Sequence, residues 1–335
     1  MININSMDRG SNIKKTIESA NIIAIFGHEY IDGDCLWSML WLGIMLENMN
    51  KNISYFTPYP VGQSLQFLTW REKIQTTFDY GTYDNIIFVD FNNYNRIKLF
   101  TQWQEEYFNK QNIIIIDHHH GNTPTSVPEE NVLIDVTASS CCERIYEHTS
   151  KWRPNSITTQ IANYLYLGLT TDTGNFMYES NSPRTMQNAI WLIQAGADKK
   201  NILDNIFYRN NPDMIQFSNT LIHRHQNQND ILRTYYDDTE LEGKDMDKDQ
   251  ADFWFHLLRT IYGPKIYIRI RKSWNELRWS VRGNGQIDCA TLCNELFNGW
   301  GHYNAAWFWI EREDSFEKGI NTIIKKIQTY LKRKK

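Results

Sequence analysis

Six residues between positions 28 and 172 are of the types that hold divalent cations: His28, Asp32, Asp34, Asp90, His118 and Asp172. Each follows an apolar run that reads as a strand, or ends a helical one, so all are expected at the same end of one sheet. Imidazole nitrogen and carboxylate oxygen together suit Mn²⁺, Fe²⁺ or Zn²⁺, and four carboxylates carry enough negative charge to hold two ions. A pair of ions about 3.5–4 Å apart can activate a water and stabilise the leaving oxygen in an in-line attack on phosphorus. The chemistry expected is therefore hydrolysis of a phosphate ester. One Asp-Gly-Asp alone would be a weak signal, because aspartate is common in turns. Several such segments in order carry the reading.

The element that organises the rest is Ile113-Ile114-Ile115-Ile116-Asp117-His118-His119-His120. Consecutive β-branched residues read as a strand buried on both faces, which is the pattern of a parallel sheet covered by helices. In such sheets ligands bind beyond the carboxyl ends of the strands, where Asp117, His118 and His119 would emerge. Asn21–Phe26, Asn52–Thr57, Asn85–Asp90 and Val132–Val136 read as further strands. Trp37, Leu40, Trp41 and Ile44 recur at helical spacing after Asp34, and Ala138–Thr149, Ile157–Leu169, Pro183–Ala195 and Ile202–Tyr208 also read as helices. Gly33 is expected to permit a turn that lets Asp32 and Asp34 face one crevice.

The alternation of strands and helices predicts an α/β fold, with an N-terminal largely parallel sheet covered by helices on both faces. A polar segment, 209–230, is expected to connect this domain (1–208) to a smaller α+β domain (231–335). In the latter, strands are expected at Ile231–Tyr236, Lys265–Lys272, Glu276–Arg282 and Ala305–Glu311, with helices at Asp249–Ile261 and Ile287–Phe297, a turn at Asn298–His302 and a final amphipathic helix. The active-site cleft is expected between the two domains.

At 335 residues, with 41% hydrophobic and 22% charged residues, the chain has the composition of an ordinary globular protein of about two domains. A net charge of −4 argues against a general coat for nucleic acid. No apolar run reaches the roughly 18 residues of a membrane span, and the polar N-terminus has no signal-peptide core, so a soluble, cytoplasmic protein is expected. Cys35, Cys141, Cys142, Cys289 and Cys293 form no CxxC pair, which fits a reducing compartment. Cys289 and Cys293, four apart, read as one buried helical face rather than a zinc site with His302. The basic tail from Lys325 reads as the solvated face of a terminal helix, His120 as facing solvent, and Asn122 as the end of its turn.

The order His28-x3-Asp32-Gly33-Asp34, Val89-Asp90 with Arg96 beyond, Asp117-His118-His119 and Thr171-Asp172-Thr173-Gly174 resembles the DHH phosphoesterase superfamily. Ala138–Glu143 fits its pattern too. Ser280-Val281-Arg282 and Gly299-Trp300-Gly301-His302-x2-Ala305-Ala306 are similar to the serine-x-arginine strand and glycine-rich loop of the DHH-associated domain, so the likeness runs from about Asn21 to Glu311. Length and layout look most like the nanoRNase and phosphoadenosine-phosphate phosphatase branch.

The resemblance implies a Mn²⁺-dependent hydrolase with two ions per site, other divalent ions being possible. Its substrates would be short oligoribonucleotides, linear dinucleotides or the 3′-phosphate of adenosine 3′,5′-bisphosphate, with no long nucleic acid, no membrane and a possible homodimer. It implies that His28, Asp32 and Asp90 hold one ion, that Asp34, Asp90, His118 and Asp172 hold the other, and that Asp90 bridges. His119 would contact the scissile phosphate, with Asp117 orienting an imidazole. Arg282 and Gly299, Trp300, Gly301 and His302 would bind the far end of the substrate. The alternatives are a cyclic-dinucleotide phosphodiesterase, a pyrophosphatase, whose basic Ser-Arg-Lys-Lys motif is missing here, or a catalytically silent nucleotide-binding protein.

Ile31 stands where the family usually has proline, Cys35 and Trp37 where it has small residues, and Trp300 and Trp307 where the associated domain has glycines. These departures bear on substrate choice rather than on the proposed ligands. Trp300 would either stack on a nucleobase, worth about 1–3 kcal/mol, or pack within its loop.

Overall fold

The structure is a computed structural model that describes residues 4–29, 31–62, 65, 71–152, 157–177, 182–208, 210–246, 250–251, 255–274, 276–311 and 316–333. The chain divides into two compact units, Met1–Tyr208 and Arg209–Lys335.

In the first unit the strands are β1 (Ile22–Phe26), β2 (Asn52–Phe56), β3 (Ile74–Gln75), β4 (Asn85–Val89), β5 (Ile113–Asp117) and β6 (Val132–Ile134). They form one sheet in the order β3-β2-β1-β4-β5-β6, every pair parallel. Alternation along the strands splits the core in two. Ile23, Ile25, Ile87, Val89, Ile114 and Ile116 face one layer of helices, while Ala24, Phe26, Ile86, Phe88, Ile113 and Ile115 face an aromatic layer with Phe78, Phe100 and Phe108. Both layers are dry, which is why the strands read as unbroken apolar runs rather than alternating ones.

The helices of this unit are α1 (Ile4–Ser19), α2 (Gly33–Glu47), the short α3 (Lys98–Thr101) and α4 (Glu105–Asn109), α5 (Cys141–Trp152), α6 (Thr159–Asp172), α7 (Pro183–Gln194) and α8 (Lys199–Phe207). The polar N-terminal stretch, in which no element was anticipated, forms α1, which buries Ile13 and Ile17 one turn apart. Trp37 finds room on α2 by stacking on Tyr164 of α6, with ring centroids 4.0 Å apart at 15°. α6 runs past the expected Leu169 to Asp172. Thr171 and Thr173 donate their hydroxyls back to the carbonyls of Gly168 (2.9 Å) and Leu169 (2.6 Å), which satisfies the last turn.

The second unit holds β7 (Gln226–Gln228), β8 (Ile231–Asp237), β9 (Ile266–Lys272), β10 (Glu276–Gly283), β11 (Trp300–His302) and β12 (Ala305–Glu311), in the order β11-β12-β10-β9-β8-β7. All pairs are antiparallel except β8 with β9. Its helices are α9 (Pro212–His223), α10 (Cys289–Phe297) and α11 (Phe316–Arg333). Cys289 and Cys293 are buried in the core under α10 and α11, while Lys325 and Lys326 lie on the exposed side of α11.

Three expectations change here. The 209–230 segment, read as a connection, contains α9 and β7. Pro212 stands in the first turn of α9 after the Asn211 cap, and the apolar residues Met214, Phe217 and Leu221 bury themselves at helical spacing. Of the helix expected at Asp249–Ile261, Gln250 and Ala251 are α-helical and Phe255–Thr260 tightens to 3₁₀ geometry, while residues 247–249 and 252–254 lie outside the described residues. The expected turn Asn298–His302 is a left-handed cap at Asn298 (φ 53°), then Gly299, then β11. No helix among the described residues is long and apolar enough to cross a membrane.

Candidate metal centre

Strand order decides where the chemistry sits. The direction of connection reverses between β1 and β4, and at such a switch point the loops leave a crevice beyond the strand ends. His28 follows β1, Asp90 follows β4, Asp117 ends β5 and His118 follows it. From the helix layer, Asp32 caps α2, with Oδ1 accepting from the Cys35 N–H (3.0 Å), Asp34 lies in the first turn of α2, and Asp172 is the last residue of α6. Asp90 adopts φ 66°, a left-handed conformation that Asp tolerates better than most residues and that turns its carboxylate from the strand into the crevice. Gly33 does not work as anticipated: it opens α2 and permits close approach. A Cβ there would lie 2.4 Å from Thr171 Oγ1, so any side chain would push Asp34 away from Asp172.

The imidazoles are held so that their Nε2 atoms point inward. His28 Nδ1 lies 2.6 Å from the Glu29 carbonyl and His118 Nδ1 3.2 Å from the Ala138 carbonyl. A ring that gives its Nδ1–H to a carbonyl keeps the Nε2 lone pair for a metal, the usual arrangement of a ligating histidine. His28 Nε2 is 3.4 Å from Asp90 Oδ2 and 4.0 Å from Asp32 Oδ2. His118 Nε2 is 3.3 Å from Asp90 Oδ1, 3.4 Å from Asp172 Oδ2 and 3.6 Å from Asp34 Oδ2. The two oxygens of Asp90 thus address different imidazoles. The donor set, two nitrogens and four carboxylates around a buried point, fits divalent cations.

Asp34 also has a structural task. Its oxygens accept the backbone N–H groups of Cys141 (2.5 Å) and Cys142 (2.8 Å) at the start of α5, which ties α2 to α5 and aims the carboxylate. Asp117 is fully buried, and its Oδ1 accepts from the N–H of His118 (2.7 Å) and of His119 (3.2 Å) and from His119 Nδ1 (2.8 Å). The His119 ring is thereby fixed with its Nε2 edge turned away from Asp117.

Electrostatics match a site built for positive charge. Burial, joined by the neighbouring Asp90 and Asp172 carboxylates, raises Asp34 well above the ordinary carboxylate range. Burial and the carboxylates of Asp32 and Asp90 push Asp172 up to about 8, against the pull of His118. Burial alone would lower His118, yet Asp172, Asp90 and Asp34 hold it well above the usual histidine value. Asp90 goes the other way: burial opposes it, but hydrogen bonds to His118 and His28 keep it well below. Protons hold these like charges together in the protein alone, and the same carboxylates and imidazoles would suit divalent cations in their place.

Three groups of potential ligand atoms each lie within 4.8 Å of one another: Asp34, His118 and Asp172; Asp90, His118 and His119; and His28, Cys35 and Asp90. Cys35 was singled out in the sequence only as larger than the residue expected; its buried thiol faces the Val89 carbonyl at 3.6 Å, beside the site. Its position directly after Asp34 on α2 is the signal that could have found it. Asp32 is the outlying member, half exposed and nearest to His28.

Residue by residue, the proposed substrate-binding set lies in the second unit. Arg282 is on β10, opposite Ala305, and Trp300, Gly301 and His302 form β11. A Cβ at Gly299 would lie 2.5 Å from the Trp307 carbonyl, and one at Gly301 (φ 145°) 2.4 Å from that of Ala305, so these glycines let β11 lie close against β12. Trp300 packs edge-on against Trp307, with ring centroids 4.6 Å apart.

Residues 22–169 match the model of the DHH family, N-terminal domain. The chain carries a DHH-family domain. The bifunctional oligoribonuclease and PAP phosphatase NrnA of Mycoplasma genitalium is 28% identical over 320 residues, spanning 93% of this chain and 95% of that protein. The Bacillus subtilis protein of the same name is 24% identical over 297 residues, 86% of this chain and 89% of that one. Among solved structures, an exopolyphosphatase-related protein from Bacteroides fragilis superposes with a TM-score of 0.83 at 21% identity, covering 97% of this chain and 96% of that one. RecJ from Thermus thermophilus, solved with Mn²⁺, superposes at 0.55 and 11% identity over 99% of this chain and 55% of its own. Both share the DHH fold with this chain, the α/β architecture expected from its sequence.

Proposed function

We propose that this protein is a metal-dependent phosphoesterase that hydrolyses short oligoribonucleotides or linear dinucleotides to mononucleotides, and the 3′-phosphate of adenosine 3′,5′-bisphosphate. The observation that carries the reading is the division of Asp90 between His28 and His118, each imidazole turned by a backbone carbonyl so that its Nε2 meets a different Asp90 oxygen. His28, Asp32 and Asp90 would hold one Mn²⁺, and Asp34, Asp90, His118 and Asp172 a second. When bound, such ions supply an activated water and charge neutralisation at the phosphoryl oxygens.

The chain's own residues do the rest. Asp117 fixes the His119 ring through Nδ1, leaving its far edge to contact a phosphoryl oxygen and hold it for in-line attack. The α5 N-terminus holds Asp34 in place through two N–H groups, so the carboxylate needs little reorganisation on binding a cation. Arg282 and the β11 segment offer a guanidinium and backbone for the remote part of the nucleotide. Support for the substrate class comes from the relatives named for oligoribonuclease and PAP phosphatase activity, whose likeness extends over nearly the whole chain.

The test is incubation of the purified chain with pApA, short oligoadenylates and adenosine 3′,5′-bisphosphate in Mn²⁺. Release of mononucleotides or phosphate, abolished by chelation and restored by Mn²⁺, is expected. Absence of product from every substrate would overturn the proposal.

A further inference from the structure

The sheet of the second unit presents a face that its core leaves partly open. Strand register arranges that face in rows: Tyr236, Arg271, Arg278 and Trp309 in one, and Thr234, Arg269, Ser280, Trp307 and Trp300 in the next. A third row carries Tyr267, Arg282 and Ala305. Trp279, Val281 and Phe308 point to the other side, into the core beneath α10 and α11.

Toward β8 and β9 the face is closed. Tyr236 and Tyr267 pack in an apolar cluster with α9, and Arg271 donates two hydrogen bonds to Asp238, at 2.7 and 3.1 Å. Toward β10 and β12 it is open. Trp309 is 52% exposed, and its ring lies 5.4 Å from that of Trp307 at a tilt of 31°, so the two form a continuous shelf. The Arg278 guanidinium lies 5.0 Å from the Trp307 ring centroid, held there by its attraction to the π face.

An exposed indole beside a guanidinium offers the two things a single-stranded nucleotide needs, a flat surface for its base and a cation for its phosphate. Arg282, on the same face, continues the polar side of the shelf, while Ser280, between it and Arg278, is buried and accepts from Arg269 at 2.7 Å. Its other end is closed by charge. Glu276 pairs with Glu311 across β10 and β12, two residues beyond Arg278 and Trp309 on the same face. Two carboxylates directly opposite each other repel one another, and they would repel a further phosphate as well.

We propose that Trp309 and Arg278 form a subsite for one nucleotide of an RNA longer than a dinucleotide, bounded at its outer end by Glu276 and Glu311. The base stacks on the open side of Trp309 and the phosphate pairs with Arg278. The choice of RNA as ligand rests on the phosphoesterase reading; the subsite itself rests on the side chains of this face.

Fluorescence titration of the full-length chain in EDTA, with 5′-phosphorylated di-, tri- and penta-adenylate, tests this without requiring turnover. Triadenylate should bind more tightly than diadenylate by about five- to a hundredfold, the range of a stacked base. Trp309→Ala should abolish that difference, whereas Trp309→Phe should retain most of it. Arg278→Ala should reduce the slope of log K against log salt by about 0.7, one single-strand phosphate contact. Glu311→Gln should tighten pentaadenylate relative to triadenylate.

A wild-type chain that binds the two shorter oligomers equally, or a length dependence that survives in Trp309→Ala, would overturn the subsite. Circular dichroism of each variant identifies any that fails to fold, and Trp309→Phe then carries the comparison, its retention of the length dependence set against a loss equal to that of a second variant, Trp309→Leu. Trp309-dependent binding without Mn²⁺-supported hydrolysis would leave the subsite standing and remove the phosphoesterase reading. Hydrolysis with a length preference indifferent to Trp309 would do the reverse.

Discussion

Replacing Asp90 by Asn separates the metal site from the fold that carries it. Asn is nearly isosteric with Asp and tolerates the left-handed φ of 66° found at this position, so the backbone has no reason to move. The amide oxygen can still accept from the protonated His118 Nε2 (3.3 Å) and the amide nitrogen can donate to His28 Nε2 (3.4 Å), while the charge that helps His118 hold its proton is lost. The metal-free variant should therefore still fold, but melt somewhat below the metal-free wild type, because the ionised Asp90 favours the His118 proton. What disappears is the one residue whose two oxygens face both imidazoles. At a Mn²⁺ concentration about 100 times Kd, binding stabilises a folded protein by about 2.7 kcal/mol. For a unit of the size of Met1–Tyr208, about 2–4 °C per kcal/mol converts this to a rise in Tm of about 5–11 °C. Differential scanning fluorimetry with and without Mn²⁺ should show that rise in the wild type and lose nearly all of it in Asp90→Asn, together with pApA hydrolysis. A variant that keeps both the Mn²⁺-dependent shift and the rate would refute the assignment of Asp90 as the shared ligand.

Two other outcomes follow from the same geometry. Asp117→Ala removes the acceptor of His119 Nδ1 without removing any proposed ligand, so kcat for pApA should fall by about 10–100-fold, in the range of lost outer-shell partners. The Mn²⁺-dependent Tm rise should persist in that variant, and its loss would make Asp117 part of the ion site itself. The pH dependence has a definite sign. Asp172 is raised to about 8 and His118 well above its usual value, so both keep protons in the metal-free fold that the unfolded chain would release. Their contribution is present at low pH and is lost as pH rises through those raised values. The Tm of metal-free protein should fall between about pH 5 and 9, while Mn²⁺ affinity, measured by calorimetric titration, should increase over the same range because the ion displaces protons. A metal-free Tm that rises through this window would refute the reading.

Much of the centre was legible because the signals were local. An apolar run ending on Asp117 and His118, or on Asp90, marks a strand delivering a donor to the rim of a sheet, and no distant residue is needed to see it. Asp32 and Asp34 could be placed by the helical spacing of Trp37, Leu40, Trp41 and Ile44 after them. The apolar residues of α1 were too widely spaced among polar ones to stand out, whereas Met214, Phe217 and Leu221 of α9 have the helical spacing that could have revealed it. α6 runs three residues past the expected end at Leu169 because helix ends depend on which carbonyls find a donor, and threonine hydroxyls supply it here.

The sequence by itself determined the donor types, their order and the parallel α/β frame, since β-branched runs and helical periodicity are properties of neighbouring residues. Tertiary structure alone decided that β1 lies beside β4, so that His28 and Asp90 meet, and that Gly33 lets α2 approach Thr171 closely enough to bring Asp34 to Asp172. It also placed Gly301 in a strand pressed on β12, with Gly299 just ahead of it, where a loop was expected, and it aligned Trp309 with Arg278 on one open face. These outcomes depend on strand order and on register between segments far apart in the chain, which no local pattern of side chains encodes.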